Sequence, residues 1–225
     1  MKILLVVVVA SLFLLWVAPV RAGEAKTMYL TFDDGPSKAT PRILDALGKR
    51  GIKATFFVVG QKAEAHPEIM KRIADEGHAI GIHSYSHSYK TIYASMDAFR
   101  QDFDATKDVI KRLTGQEPKI YRFPGGSKNN FNKDIRGQIV KYLKDGGYTY
   151  FDWNAGIGDA VLGKPQTTKH LLMRGLETST ANKVIMLAHD SKEVTARVVG
   201  GLVDALAEKG YCFEVLDHDV EPIHM

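Results

Sequence analysis

The sequence predicts an α/β fold, a distorted or incomplete (β/α) barrel of about seven parallel strands. Short apolar segments alternate with helical patterns from residue 27 to residue 217, with no repeat, low-complexity tract or linker between them. Alternation of this kind is typical of parallel strands joined by crossover helices. Ionisable residues also follow several of the strand-like segments directly, which matches the carboxyl-terminal rim of a barrel, where the chemistry of this fold is located.

Seven segments are expected to form the strands, because each is a short run of apolar, β-branched and aromatic residues. In chain order they cover residues 28–32, 54–59, 79–83, 119–123, 148–152, 184–188 and 211–216. The last segment contains Cys212, the single cysteine of the chain, so an internal disulfide cannot form. We expect Cys212 to be buried in the core.

Four helices have recognisable limits in the sequence, because a polar N-cap, a proline in the first turn and a C-terminal glycine mark helix ends. They begin at Thr40-Pro41, after His66-Pro67, at Ser95 and near residue 192, and the last two are closed by Gly115 and Gly210. These helices alternate with the predicted strands, as crossover connections require.

Residues 1–22 are expected to be a signal peptide, and residues 23–225 one functional domain. Lys2 precedes an apolar stretch over residues 3–17, and the segment ends in the small residue Ala22, as signal cleavage requires. The alternative is an uncleaved membrane anchor, since the apolar stretch is near the lower limit for spanning a bilayer. In either case we expect the domain to lie outside the cytoplasm.

The charge balance argues against a nucleic-acid-binding protein. The 225-residue chain carries 30 Lys and Arg residues against 26 Asp and Glu residues, a formal net charge of +4. Without residues 1–22, which contain two of the basic residues, the net charge is +2. The sequence contains no basic stripe with interleaved aromatic residues. We expect a monomer without a nucleic-acid partner, which contacts a membrane only if the N-terminal segment stays uncleaved.

The first strand ends in two adjacent carboxylates, Asp33 and Asp34, followed by a Gly-Pro turn. Neighbouring side chains on an extended segment point to opposite sides, so these two carboxylates are expected to do different work. One can face a metal while the other faces a water molecule or a substrate. The alternative is a solvated turn that merely ends the strand, because Asp and Gly are common in turns.

Two histidines, His83 and His87, stand four residues apart directly after the third strand. On a helical or tightly turned segment this spacing brings both rings to one side, as two metal ligands require. Asp34, from the end of the first strand, supplies a third ligand. Two histidines and one carboxylate suit a catalytic zinc ion, or cobalt or another divalent ion. The alternative is a polar loop with exposed histidines.

The segment Arg122-Phe123-Pro124-Gly125-Gly126 is a strand end that turns sharply. Arg122 is expected to pair with the carboxylate of Asp33 at the same rim. The glycines leave backbone N–H groups open to a ligand, where they can stabilise a developing oxyanion. The alternative is a tight turn with a surface arginine.

Two further residues follow strand ends. His189 ends the sixth strand and suits general-acid work, because its ordinary pKa lies near neutrality; the alternative is a histidine that only caps the strand. Trp153 follows Asp152 at the end of the fifth strand. It is expected to line a groove that stacks on a sugar ring, or else to belong to the core.

Taken together, these motifs resemble the polysaccharide deacetylases, carbohydrate esterase family four, over nearly all of residues 27–217. T-F-D-D-G-P, H-S-Y-S-H, R-F-P-G-G, D-W and L-A-H occur in that order at strand ends. The resemblance implies that Asp33 is the catalytic base, that Arg122 positions it and that His189 is the general acid. It also implies that the metal ligands are Asp34, His83 and His87, and that the Gly125 N–H is an oxyanion donor. The implied substrate-binding residues are Trp153, Leu187 and Pro124.

The resemblance also implies an activity. A metal-dependent hydrolase is expected, which removes N-acetyl groups from amino sugars of a cell-wall polysaccharide and releases acetate. Peptidoglycan is the expected substrate, at N-acetylglucosamine or N-acetylmuramic acid, for a protein that is secreted or associated with the cell wall. The alternatives are a chitooligosaccharide deacetylase or an acetylxylan esterase on the same site, and a carbohydrate-binding protein without catalysis.

The sequence departs from the family pattern at two positions. Many relatives place a bulky residue, often tyrosine, where Gly125 stands, so the groove is expected to be more open here. Many also carry an aspartate four residues before the tryptophan, as a partner of the catalytic histidine, where this chain has Thr149. The group that orients His189 is left open among three aspartates, at positions 152, 159 and 190.

Overall fold

A computed structural model describes residues 25–164 and 166–225. The expected signal peptide or anchor, residues 1–22, lies outside the described residues and stays a prediction. Within the described ranges, every helix is too short or too polar to cross a membrane.

The described residues form one sheet of eight strands, and every strand pairing is parallel. The strands are β1 (Lys26–Gly35), β2 (Thr55–Val59), β3 (Ala79–Ser84), β4 (Ile120–Tyr121), β5 (Thr149–Tyr150), β6 (Ala155–Gly156), β7 (Lys183–His189) and β8 (Tyr211–Glu214). Their order is β5-β4-β3-β2-β1-β7-β6, with β8 paired to the start of β1. Since the end strands β5 and β6 do not pair with each other in the described part of the chain, the barrel is incomplete, as predicted.

Eight helices connect these strands in the described ranges. They are α1 (Thr40–Gly48), α2 (Gly60–Ala65), α3 (Pro67–Asp75), α4 (Tyr89–Ile92), α5 (Met96–Thr114), α6 (Arg136–Asp145), α7 (Thr168–Thr178) and α8 (Glu193–Glu208). The predicted limits of α5 are found: the Ser95 hydroxyl accepts the Ala98 N–H at 3.1 Å, and Gly115 ends the helix with φ 72°. Thr40 is the first helical residue rather than the N-cap, because its hydroxyl instead donates to Asp190.

The period of two along β1 divides its side chains between two apolar clusters. Met28, Leu30 and Phe32 pack into the large core between the sheet and the helices. Tyr29 belongs to a smaller cluster on the opposite face, together with Phe57 of β2 and residues of other strands. The same alternation carries Thr31 and Asp33 to the face of Tyr29, which is the interior of the incomplete barrel.

Two expectations about strands need correction. Cys212 is exposed rather than buried. Alternation along β8 directs Tyr211 and Phe213 to the core and Cys212 to the uncovered face. The two-residue strand β6 was not among the seven predicted ones, because so short a segment carries no periodicity of its own.

Candidate active site

The strand register places four of the candidate residues at one end of the sheet. Asp33 lies opposite His189 in the parallel pairing of β1 with β7. Ile82 of β3 pairs with Tyr121 of β4, and His83 and Arg122 are the next residues along these two strands. Because these strands are all parallel, the four side chains converge on the carboxyl-terminal rim.

Asp33 and Arg122 form a buried ion pair. Arg122 Nη1 donates to Asp33 Oδ1 at 2.9 Å, and both side chains are almost fully enclosed. The same Nη1 donates to the Thr31 hydroxyl at 2.6 Å, while Nε and Nη2 donate to the carbonyl oxygens of Phe151 and Asp152. A buried charge is stable when its donors are satisfied in this way. In the described part of the chain, nothing donates to Asp33 Oδ2, so this oxygen is free to accept a proton.

Asp34, His83 and His87 form a cluster that can hold a metal ion. Asp34 Oδ1 lies 3.4 Å from His83 Nε2 and 3.0 Å from His87 Nε2. His83 Nδ1 lies 2.8 Å from the carbonyl oxygen of Arg122, and since a carbonyl oxygen only accepts, Nδ1 carries the proton. The Nε2 lone pair of His83 therefore points to the cluster, as a metal ligand requires.

Backbone conformation brings these ligands together. Asp34 has φ 71° and His87 has φ 53°, and within the described ranges they alone among the non-glycine residues adopt positive φ. Such strain occurs mainly at functional sites and needs support from neighbours. Lys62 Nζ donates to the Asp34 carbonyl oxygen at 2.7 Å, and the Ser84 hydroxyl accepts the His87 N–H at 2.9 Å.

The electrostatics of the cluster also suit a cation. Burial by itself would raise the pKa of the Asp34 carboxyl, but the neighbouring imidazoles of His83 and His87 outweigh it and hold this pKa far below its usual range. Asp34 is thus an ionised oxygen donor beside two imidazole nitrogens. This donor set fits a divalent metal such as zinc.

Asp159 orients His189, which settles the question that the sequence left open. Asp159 Oδ1 lies 2.8 Å from His189 Nδ1, and its Oδ2 accepts the backbone N–H of His189 at 2.7 Å and the Thr195 hydroxyl at 2.6 Å. Burial lowers the pKa of His189, but the hydrogen bond and charge of Asp159 outweigh it and raise this pKa to about 9.

The other two candidate aspartates do different work. Asp152 accepts the Ser127 N–H at 2.8 Å and the Met225 N–H at 2.9 Å, so it ties the turn after β4 to the C-terminal end of the chain. Asp190 accepts the Thr40 hydroxyl at 2.7 Å. Burial, with smaller contributions from the charges of Asp34 and Asp33, raises the pKa of Asp190 to about 7.

Tyr89 occupies the space that a side chain at position 125 would take. Gly125 has φ 77°, and a Cβ atom built on it would lie 3.0 Å from Tyr89 Oη. The Tyr89 ring centroid lies 5.4 Å from that of His87 and 5.4 Å from that of Phe131. The expected opening at Gly125 is therefore filled from α4. Sequence reasoning missed Tyr89, although its position two residues after His87 was a signal.

A cavity of about 580 Å³ lies beside these groups. Two of the three expected substrate-binding residues, Trp153 and Leu187, line it, together with His189 and the expected oxyanion donor Gly125. Sequence reasoning missed Arg174, which α7 contributes to the same cavity. Pro124 does not line it: this residue is buried, and its carbonyl oxygen accepts hydrogen bonds from Tyr93 and Asn129.

Comparisons with known proteins agree with this architecture. A family model for polysaccharide deacetylases matches residues 21–151. A peptidoglycan-N-acetylglucosamine deacetylase of Bacillus cereus is 31% identical over 194 residues, 85% of this chain and 69% of that protein. The peptidoglycan-N-acetylmuramic acid deacetylase PdaA of Bacillus subtilis is 28% identical over 196 residues, 86% of this chain and 71% of that protein. The catalytic domain of a peptidoglycan N-acetylglucosamine deacetylase from Eubacterium rectale matches with a TM-score of 0.85 and 37% identity, covering 92% of this chain and 94% of that one.

Proposed function

This chain belongs to the polysaccharide deacetylase family, and we propose that it is a metal-dependent hydrolase that removes N-acetyl groups from the amino sugars of peptidoglycan and releases acetate. One observation carries this proposal. The Asp33–Arg122 pair, the Asp34–His83–His87 cluster and the His189–Asp159 pair occupy the same rim of the barrel, beside a cavity of about 580 Å³.

Asp34, His83 and His87 would hold the divalent ion, for which zinc is the proposed identity. When bound, such an ion polarises a carbonyl and lowers the pKa of a water molecule. The Arg122 carbonyl oxygen fixes His83 in the tautomer that presents Nε2 to the ion.

Asp33 is the proposed general base. Arg122 occupies its Oδ1 and leaves Oδ2 without a donor among the described residues, so Oδ2 can take a proton from the water that attacks the acetamide carbon. Because Arg122 is buried and makes four hydrogen bonds, it holds this carboxylate in a fixed orientation.

Gly125 supplies the proposed oxyanion donor. Its N–H has no acceptor within the ranges that the structure describes, and its residue is exposed to the rim. A backbone N–H aimed at the developing oxyanion stabilises it without reorganising. Trp153 and Leu187 form the wall of the cavity next to this donor, where the acetyl group would lie.

His189 is the proposed general acid. As the tetrahedral intermediate collapses, the C–N bond breaks and the departing amine takes a proton from His189. Since its pKa is raised to about 9, the imidazole is protonated at neutral pH and ready for this step. Asp159 holds the ring at Nδ1, which leaves Nε2 as the proton donor.

The choice of peptidoglycan rests on the relatives, two of which are named for N-acetylglucosamine and one for N-acetylmuramic acid. A chitooligosaccharide deacetylase and an acetylxylan esterase remain the alternatives, because each substrate presents an acetyl group to the same residues. We further propose a secreted or cell-wall-associated protein, in which residues 1–22 direct export and residues 23–225 form the catalytic domain.

The proposal is tested by acetate release from peptidoglycan, chitooligosaccharides and acetylxylan, compared side by side with the zinc-loaded protein. We expect peptidoglycan to be preferred. Asp33→Asn should abolish turnover and retain bound zinc, because Asp33 is not a ligand. Acetate release from none of the three substrates, or substantial turnover by Asp33→Asn, would overturn the proposal.

A further inference from the structure

The cavity beside His189 extends away from the catalytic residues to α7. Its lining includes Gly125 and His189 on the catalytic side and Arg174 and Thr178 of α7. A second cavity of about 380 Å³ shares Arg174 with the first and adds Lys164 and His170. Arg174 therefore lines both cavities, on the α7 side of the space that the substrate would enter.

The α7 side of this space is positively charged, because Arg174 and Lys164 line it. Asp159 is the single acidic residue that lines either cavity in the described ranges, and His189 and Thr195 already use both of its carboxylate oxygens. The ion-pair partner of Arg174 is Glu177, at 3.7 Å, and both side chains are about half exposed. An exposed pair at that distance contributes little, so the guanidinium remains available to a ligand.

The helix that carries Arg174 is fixed against the cavity wall. The Thr178 hydroxyl accepts the Gly156 N–H at 3.2 Å, which ties α7 to β6. On its other side α7 packs so closely on α8 that a Cβ atom at Gly175 would lie 2.6 Å from Leu202 Cδ1. The backbone at Arg174 thus has a defined position relative to His189.

We propose that Arg174 forms an anion subsite that binds a carboxylate carried by the glycan next to the sugar that is deacetylated. This inference rests on the proposed function and specifies its substrate class. A planar guanidinium binds a carboxylate through two parallel hydrogen bonds. The carboxylate belongs either to the lactyl ether of a muramic acid residue or to a peptide attached to it. Neutral chitooligosaccharides have neither.

The test measures binding as well as turnover, with three probes: an N-acetylglucosamine oligomer, a GlcNAc–MurNAc oligosaccharide with free lactyl carboxylates, and the same oligosaccharide carrying peptides. Affinities are measured by calorimetry on the full chain, for the wild type, Arg174→Gln, Arg174→Lys and Lys169→Gln. The last is a matched control, since Lys169 is an exposed cation on the same helix that lines neither cavity.

We expect Arg174→Gln to lower the ratio of anionic to neutral affinity by about 10-fold, as losing one charge-assisted contact does. Arg174→Lys should recover part of this ratio, and Lys169→Gln should leave it unchanged. Loss with the free lactyl oligosaccharide identifies the lactyl carboxylate, and loss with the peptide-bearing probe alone identifies the peptide. In either case the same change should appear in KM.

An unchanged ratio in Arg174→Gln, or an equal loss with the neutral oligomer, would overturn the subsite. The proposed function fails by a different result, namely no acetate from any probe. If the anionic probe still binds in an Arg174-dependent way while no acetate is released, the subsite stands and the proposed deacetylation falls.

Discussion

Asp159 holds His189 through both of its carboxylate oxygens, one 2.8 Å from the ring Nδ1 and the other 2.7 Å from the backbone nitrogen. A third contact, from the Thr195 hydroxyl, fixes the carboxylate itself. Asp159 therefore determines both the orientation of the His189 ring and the charge of its imidazole. This relationship determines how activity should depend on pH.

Asp159→Asn should move the alkaline limb of the pH profile to lower pH. The hydrogen bond and charge of the Asp159 carboxylate raise the pKa of His189 to about 9, so removing that charge lets burial lower the pKa. A general acid must be protonated, and we expect kcat to fall more at pH 8 than at pH 6, by about 10-fold or more at the higher pH. The measurement is a profile of kcat from pH 5 to pH 10. An alkaline limb at the wild-type position would contradict it.

Zinc should stabilise the wild-type protein but not His87→Ala. A ligand that binds only the folded state raises its stability by about 2.7 kcal/mol at a free concentration of 100 times Kd. The measurement is the shift of Tm on adding zinc. His218→Ala is the control, because His218 belongs to an exposed group with Asp217 and Asp219 that could also bind a metal. A zinc shift lost in His218→Ala and kept in His87→Ala would place the ion elsewhere.

The strand ends of this site could be predicted because local rules determine them. A period of two directs Asp33 and Asp34 to opposite sides of β1, so different roles for the two carboxylates follow from their order in the chain, whereas the family resemblance decides which role each has. Parallel strands then bring residues at their carboxyl ends to one rim, which unites β1, β3, β4 and β7.

The remaining features depend on the path of loops, which no local pattern determines. Asp159 contacts His189 from the segment between β6 and α7. The amino-acid sequence did not distinguish Asp159 from Asp152 or Asp190 as the partner of this histidine. Tyr89 fills the space at Gly125 from a four-residue helix. Such contacts join residues far apart in the chain, so they follow from tertiary packing rather than from periodicity.

Arg122→Ala should destabilise the protein as well as inactivate it. Arg122 is fully buried and neutralises Asp33, so its removal leaves an uncompensated buried carboxylate, at a cost of about 3–5 kcal/mol. The measurement is urea unfolding. The double variant with Asp33→Asn should recover part of this loss, because the unpaired charge is gone. Additive effects of the two substitutions would contradict the expected coupling.

Tyr89→Ala should raise KM several-fold, whereas Tyr89→Phe should have a smaller effect. The ring packs 5.4 Å from the His87 ring and fills the space at Gly125, so its loss opens the wall beside the proposed oxyanion donor. The phenylalanine variant keeps that wall and removes only the hydroxyl. The measurement is KM for an N-acetylglucosamine oligomer. Equal KM values in all three proteins would show that the ring does not contact substrate.

Asp190→Asn should make the metal-free protein more stable than the wild type at pH 8 and change its stability less at pH 5. Burial raises the pKa of Asp190 to about 7, so the fold favours the protonated carboxyl. Because the unfolded state ionises near the ordinary value of 3.8, wild-type stability falls as pH rises from there through the folded pKa, and then levels off. An amide does not ionise, and its oxygen can still accept the Thr40 hydroxyl.

The measurement is urea unfolding of both proteins at pH 5 and pH 8. The free energy of unfolding that Asp190→Asn adds should be about 1–3 kcal/mol larger at pH 8 than at pH 5. A change of the same size at the two pH values would mean that Asp190 does not titrate between them.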